Sequence, residues 1–505
     1  MTITTAHQPM TGELPSTQEN PMTPRAEPVD GLNFVGSEWI ESTTGRRFER
    51  ENPADYAEVV GTFPRSSADD VDAAVYAAVD GAAEWAATSP EKRAQVLMRA
   101  ADVLESQALQ LVSELVREEG KTSAEASFEV SRTPTNLRFY AGEALRIGGH
   151  TFASPAAPLV YTRREPVGVV AVITPWNFPL NIPSRKLGPA LAAGNAVIYK
   201  PSEITPLLGQ RMVEALLEGG LPASAIALVH GDAEVGRALA SDPRIPAITF
   251  TGSTAVGRAI HAAGSPDRRA QLEMGGKNAV VVLEDADPDK AAATIVKGAF
   301  GLSGQACTGS SRAILVDSIY DAVVERILEK VRQIVVGRGD ADGVTMGPLA
   351  SRPQFEKFLS YVDAASGDGA VRLTDTAAVA ADGGYFVNPQ VFGDVTAGMR
   401  ISCEEVFGPL LACQRVSTMD EALTAVNSSE YGLSSAIMTR DIGRALEFAA
   451  GADTGLVKIN QPTTGMALNA PFGGFKASST QTHKEQAGET MMHFYLREKT
   501  VYLAS

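Results

Sequence analysis

A cysteine, a carboxylate and a side-chain amide, each framed by glycine or proline, are the residues of this sequence that could do covalent chemistry together. The cysteine is Cys307, in the run Phe300-Gly-Leu-Ser-Gly-Gln-Ala-Cys-Thr-Gly-Ser-Ser-Arg312. Gly301, Gly304 and Gly309 keep its backbone permissive, and the small Ser303, Ala306 and Thr308 leave the sulfur room. A thiolate so placed is a covalent nucleophile. Taken alone, a single cysteine is more often a buried structural residue. The company it keeps decides between the two.

Glu273 lies in Leu272-Glu-Met-Gly-Gly-Lys277, where two glycines allow close backbone approach. A carboxylate in such an apolar setting can act as general base on water, or it can simply pair with Lys277 at the surface. Asn177 sits in Pro175-Trp-Asn-Phe-Pro179, a rigid corner whose amide can donate to an oxyanion or serve only as a turn residue. Lys200-Pro-Ser-Glu203 could address ribose hydroxyls or be solvated charge. Phe250-Thr-Gly-Ser-Thr-Ala-Val-Gly257 is a glycine-rich strand-to-helix turn with N–H groups to offer a pyrophosphate. It is not a GxGxxG fingerprint, and a plain connection fits it equally well. Two aromatic–glycine turns follow, Glu404-Glu-Val-Phe-Gly-Pro409 and Pro471-Phe-Gly-Gly-Phe-Lys476.

The elements that must hold these residues follow from periodicity. Residues 31–64 read as small strands and hairpins, and helices are expected over 68–86, 90–119 and 123–144, then a projecting hairpin over 148–164. From Val167 the pattern changes to β-branched runs separated by helical ones. Strands are expected at 167–173, 195–199, 226–229, 247–250 and 279–283, then at 313–316, 411–416, 434–438 and 455–459. Helices fit 207–218, 234–240, 255–263, 290–299, 318–335, 419–428 and 442–450. This predicts an α/β fold of two lobes built on buried parallel strands, with Cys307 near their junction.

A chain of 505 residues exceeds one small core, so two or three domains are expected. A net charge of -16 argues against a nucleic-acid partner. Cys307, Cys403 and Cys413 form no disulfide framework and no zinc-ligand spacing, so no metal and a reducing cytoplasm are expected. No apolar run approaches the ~18 residues of a spanning helix, so no membrane is expected. Residues 1–30, rich in Thr and Pro, read as a mobile tail without a signal-peptide pattern.

Taken in order, PWNFP, KPSE, FTGSTAVG, LEMGGKN, GQAC, EEVFGP and PFGGFK resemble the signatures of the aldehyde dehydrogenase superfamily, over essentially all of 31–503. The resemblance implies a Rossmann-type cofactor domain (31–147 and 165–273), an α/β catalytic domain (274–487) and a small β oligomerisation arm (148–164 and 488–505). It also implies NAD(P)-dependent oxidation of a small-molecule aldehyde to the acid. Cys307 would attack the aldehyde, Asn177 with the Cys307 N–H would hold the oxyanion, and Glu273 would activate the hydrolytic water. Lys186 and Glu485 match proton-relay positions. Trp176, Lys200, Ser202, Glu203, Gly252, Ser253, Gly257, Met274, Glu405 and Phe407 match cofactor contacts. The arm implies a homodimer or homotetramer.

Glu203 should repel a 2′-phosphate, so NAD is the expected cofactor, with NADP possible. Arg185 matches the position where succinate-semialdehyde dehydrogenases hold a substrate carboxylate, and arginine can read a carboxylate bidentately. Asn460-Gln-Pro-Thr-Thr-Gly and Lys476-Ala-Ser-Ser-Thr, continuing to Lys484-Glu-Gln-Ala-Gly, resemble the 2-oxoglutarate-semialdehyde (2,5-dioxopentanoate) dehydrogenase branch and depart from the common Ser-Gly-x-Gly-Arg form. A short semialdehyde with a distal carboxylate is therefore expected. The alternatives are a broad-specificity aldehyde dehydrogenase, a CoA-acylating relative, which commonly lacks the glutamate at 273, and a non-enzymatic relative, which would be expected to lose the nucleophile or base.

Overall fold

The computed structural model describes residues 27–479 and 489–504. Two seven-stranded sheets organise it. In the first, five parallel strands run in the spatial order Arg269–Glu273, Ala247–Thr251, Val169–Ile173, Ala196–Lys200 and Ile226–Leu228, extended by the antiparallel strands Asn33–Val35 and Glu38–Ile40. The order reverses between Val169–Ile173 and Ala247–Thr251, and the loops leaving these two strands flank a crevice of the kind that takes a dinucleotide. The second sheet places Asn278–Val282 between Ser310–Val316 and Ser434–Met438, with Leu410–Val416 and Leu456–Ile459 outside them.

The strand sequences explain this arrangement. Val170 and Val172 pack into one core while Val169, Ala171 and Ile173 pack into another, so both faces of the strand are covered. Val280 and Val282 alternate with Ala279, Val281 and Leu283 in the same way in the second sheet. Parallel strands covered by helices on both sides need such uninterrupted apolar runs. The chain passes from the first sheet to the second through Met274-Gly275-Gly276-Lys277.

Several elements differ from the sequence expectation. The helix expected over 90–119 is two, Pro90–Ser106 and Ala108–Glu119, because Gln107 leaves the helical region and caps both. The helix expected over 318–335 is Asp317–Val331. The end of the expected tail is not tail, since Val29–Asp30 pair in parallel with the Asp55–Pro64 strand; residues 1–26 lie outside the described residues. Helices Asn181–Ala192 and Arg352–Gly367 and strand Arg269–Glu273 were not expected. The hairpin is formed by Thr151–Phe152 and Leu159–Pro166, and the terminal strand Leu496–Leu503 pairs along the whole of the latter. Helix Glu489–Tyr495 buries Met491, Met492, Phe494 and Tyr495 in the first-lobe core. No helix among the described residues is long and apolar enough to cross a membrane.

Candidate active site

Cys307 follows helix Pro288–Phe300, whose start is set by Asp287 accepting from the N–H groups of Asp289 and Lys290, with Pro288 at the first helical position. After the helix the backbone turns sharply. Leu302 and Ser303 have φ of 56° and 53°, a left-handed conformation uncommon for side chains other than glycine. The half-buried Cys307 comes next, just before strand Ser310–Val316. Asn278 fixes it, donating from Nδ2 to the carbonyls of Cys307 (2.8 Å) and Gly309 (2.9 Å). A Cβ at Gly276 would lie 2.6 Å from the Cys307 carbonyl, so the glycine there is a requirement of close approach.

From the first sheet, strand Val169–Ile173 ends at the Trp176–Asn177 corner. The buried Asn177 Nδ2 donates to the carbonyl of Gln305, 3.0 Å away and two residues before Cys307. That amide carries a second hydrogen. Strand Arg269–Glu273 ends on the Glu273 side chain, 2 % exposed, whose Oε1 accepts from Ser479 Oγ at 2.6 Å. Glu273, Asn177 and Cys307 therefore lie where the carboxyl end of one sheet meets the amino end of the other.

Arg185 and Lys186, neighbours on helix Asn181–Ala192, turn to different surroundings. The buried Arg185 lies 5.6 Å over the Phe472 ring of the Pro471–Lys476 turn and donates to Met466 Sδ at 2.6 Å. Lys186 is fully buried and donates to Thr249 Oγ1 (2.9 Å), which in turn donates to Gln271 Oε1 (2.8 Å). Glu485 lies outside the described residues.

Of the residues expected to contact a cofactor, Trp176, Lys200, Ser202, Glu203, Gly252 and Ser253 lie at or just beyond the carboxyl ends of strands Val169–Ile173, Ala196–Lys200 and Ala247–Thr251. Ser253 caps helix Thr254–Ala263, and the Gly252 N–H donates to the Glu273 carbonyl at 3.0 Å. A Cβ at Gly257 would meet Met274 Sδ at 2.4 Å, which ties the glycine-rich turn to the crossing between lobes. Lys200 Nζ lies 3.7 Å from a Glu203 carboxylate oxygen, and Ser202 Oγ accepts from the Ile204 N–H. Trp176 and Phe407 meet edge to face with centroids 5.4 Å apart, across the two lobes. Glu405 accepts from the Gly276 N–H at 2.9 Å, and burial raises its carboxyl pKa.

Ser479, Asn278 and Lys357 were not singled out by the sequence. Lys357 faces Glu404 and Glu405 from helix Arg352–Gly367; burial lowers its pKa against their attraction. Only Ser479 carried a signal, standing where the common family form has glycine. Lys277, 3 % exposed and without a hydrogen-bond partner for its Nζ among the described residues, is brought down to about 7, by burial first and then by Arg312.

The sequence pattern of the aldehyde dehydrogenase family matches residues 39–501. The chain belongs to that family. Its curated relatives include the 2,5-dioxopentanoate dehydrogenase of Saccharolobus solfataricus, 42% identical over 93% of this chain and 98% of that protein. The α-ketoglutaric semialdehyde dehydrogenase of Bacillus subtilis is 41% identical over 94% and 98%. Among solved structures, the NAD-dependent aldehyde dehydrogenase of Sinorhizobium meliloti superposes with a TM-score of 0.90 at 32% identity, covering 94% of this chain and 95% of that one. This aldehyde dehydrogenase thus has the family fold, and it is an oxidoreductase.

Proposed function

We propose that the enzyme oxidises a short semialdehyde with a distal carboxylate to the dicarboxylic acid, with NAD as preferred cofactor. The observation that carries the chemistry is the Asn177–Gln305 hydrogen bond, which sets a second amide hydrogen beside the Cys307 loop. The Cys307 thiolate attacks the aldehyde carbon, and the Asn177 amide with the Cys307 N–H receives the oxyanion. A bound dinucleotide would supply the hydride acceptor. Glu273 then takes a proton from water, which attacks the thioester and frees the acid and the thiol. Lys186, through Thr249 and Gln271, leads toward Glu273 on the same strand and is assigned to proton relay with Glu485.

The residues present fit a nicotinamide dinucleotide. Gly252, Ser253 and Thr254 make a turn of small residues where a pyrophosphate would meet the N-terminus of helix Thr254–Ala263. Lys200 with Ser202 and Glu203 would hold the adenosine ribose, and Glu405, Phe407 and Trp176 the nicotinamide end. We assign the first lobe to cofactor binding and the second to catalysis. The edge strand Leu496–Leu503, with Tyr502 and Leu503 exposed, supports a homodimer or homotetramer, and we place the enzyme in the cytoplasm.

Arg185 is assigned to the substrate carboxylate, and the names of the two curated relatives point to the same substrate class. Arg185→Ala should raise KM for such semialdehydes at least tenfold and leave aliphatic aldehydes within twofold. Equal KM for carboxylated substrates in both enzymes would overturn the substrate assignment and leave the Cys307 chemistry standing.

A further inference from the structure

The connection between helices Ala108–Glu119 and Ser123–Ala144 contributes nothing to the chemistry above, yet it holds both loops that do. Lys121 Nζ donates to the Asn177 carbonyl and to Glu129 Oε2, the latter at 2.6 Å. The other oxygen of Glu129 accepts from the N–H groups of Leu180 and Asn181, each at 3.0 Å. One ion pair therefore grips the Asn177 corner at its centre and at its exit into the next helix. The ammonium also lies 4.5 Å over the Phe178 ring.

The same connection reaches the nucleophile loop. Glu125 Oε1 accepts from the Leu302 N–H at 2.6 Å, while its Oε2 closes a capping box with Thr122. Leu302 and Ser303 are the left-handed residues of that loop, and such backbone persists only where its surroundings over-determine it. Two other contacts hold the loop: Ser303 Oγ on the Gly347 carbonyl, and the Ala350 N–H on Gln305 Oε1, both 2.9 Å. The connection itself is wedged. A Cβ at Gly339 would lie 1.9 Å from the Lys121 carbonyl, and one at Gly347 2.0 Å from that of Gly120.

Lys121, Glu119 and Glu129 have almost no exposed side-chain surface. Burial works against the Lys121 charge, but Glu119 and Glu129 more than offset it, so its pKa is raised; burial pushes Glu119 up to about 8. A buried charge network is a poor source of stability, and a well-packed apolar set of like volume is often as stable or more so. What this network does supply is direction: Lys121 and Glu129 point at backbone groups of the Asn177 corner, as Glu125 does at one of the Cys307 loop.

We propose that Lys121, Glu125 and Glu129 are positioning residues, which set the separation between the Asn177 amide and the Cys307 loop and so preorganise the oxyanion hole. The proposal rests on the roles given above to Asn177 and Cys307. It predicts that Lys121→Met and Glu129→Gln each lower kcat by on the order of 10²-fold, no further than Asn177→Ala does. Aldehyde KM, NADH affinity by fluorescence and the rate of Cys307 alkylation by iodoacetamide stay within twofold. Lys121→Arg, which keeps the charge, restores most of kcat.

A double-mutant cycle decides the matter. In an Asn177→Ala background, Lys121→Met should cost less than twofold further. The same loss with and without Asn177 would make Lys121 a structural residue and overturn the proposal alone, as would full activity of both single variants. Asn177→Ala with unchanged kcat would overturn the oxyanion assignment itself, and the proposal with it. Glu129→Gln keeps volume and a carbonyl acceptor for Leu180 and Asn181, so the cycle can be run on it where Lys121→Met does not fold.

Discussion

Ser479 Oγ donates to Oε1 of Glu273 across 2.6 Å, and the two residues also bridge through their backbones. A hydroxyl on one carboxylate oxygen fixes the rotamer of the proposed base. Where the common family form has glycine, this chain has a restraint. Ser479→Ala should lower kcat severalfold at constant aldehyde KM, with the loss in acyl-enzyme hydrolysis, and Ser479→Thr should recover it. Rapid-mixing kinetics would show a larger NADH burst in the alanine variant; no burst and an unchanged kcat would sever Ser479 from the base.

Cys307→Ala should abolish aldehyde oxidation while retaining NADH binding, since its sulfur is the proposed acyl carrier and lies outside the proposed nucleotide contacts. Asn177→Ala should retain the thiol and lose about 10²–10³ in kcat, the usual cost of one oxyanion donor. Steady-state rates with fluorescence titration of NADH separate the two. A Cys307→Ala enzyme that still turns over would end the covalent account.

Glu203, half-exposed beside Lys200, is the proposed contact to the adenosine ribose, where its charge would repel the 2′-phosphate of NADP. Initial rates should give a higher kcat/KM with NAD than with NADP, and Glu203→Gln should narrow the ratio by about tenfold, the scale of one unfavourable charge contact. A parent enzyme that prefers NADP would reverse the cofactor assignment.

Lys277 makes stability depend on pH with a definite sign. Its pKa falls from 10.5 to about 7 in the folded chain, through burial first and Arg312 second. Between those values the unfolded chain binds a proton that the folded one does not, so the group destabilises increasingly as pH falls from 10.5 to 7 and no further below. Lys277→Met removes the group, so its stability advantage should widen by roughly 1.4 kcal/mol per pH unit over that range at most, then stay level. Denaturant midpoints at pH 6, 7, 8 and 9 test this; a constant difference from 7 to 9 would show that Lys277 is not desolvated.

The sequence disclosed what is local. Val169–Ile173 and Asn278–Val282 announce buried parallel strands because both faces need apolar side chains. The corner at Asn177 and the turn at Ser253 are spelled by adjacent prolines and glycines. Strand Arg269–Glu273 was hidden, since Arg-Ala-Gln-Leu-Glu has helical propensity and becomes a strand only by pairing with Ala247–Thr251. The break at Gln107 has neither glycine nor proline to mark it. Ser479, Asn278 and Lys121 act on partners 206, 29 and 56 residues away, and only the folded chain brings such pairs together.

The crossing at Met274–Lys277 also limits how the molecule can be taken apart. Asn177 and Glu273 belong to one sheet and Cys307 to the other, so neither lobe produced alone would hold the whole proposed catalytic set. That crossing is four residues long. Closure on a bound nucleotide would be felt at once by the base on its one side and by the sulfur-bearing loop on its other.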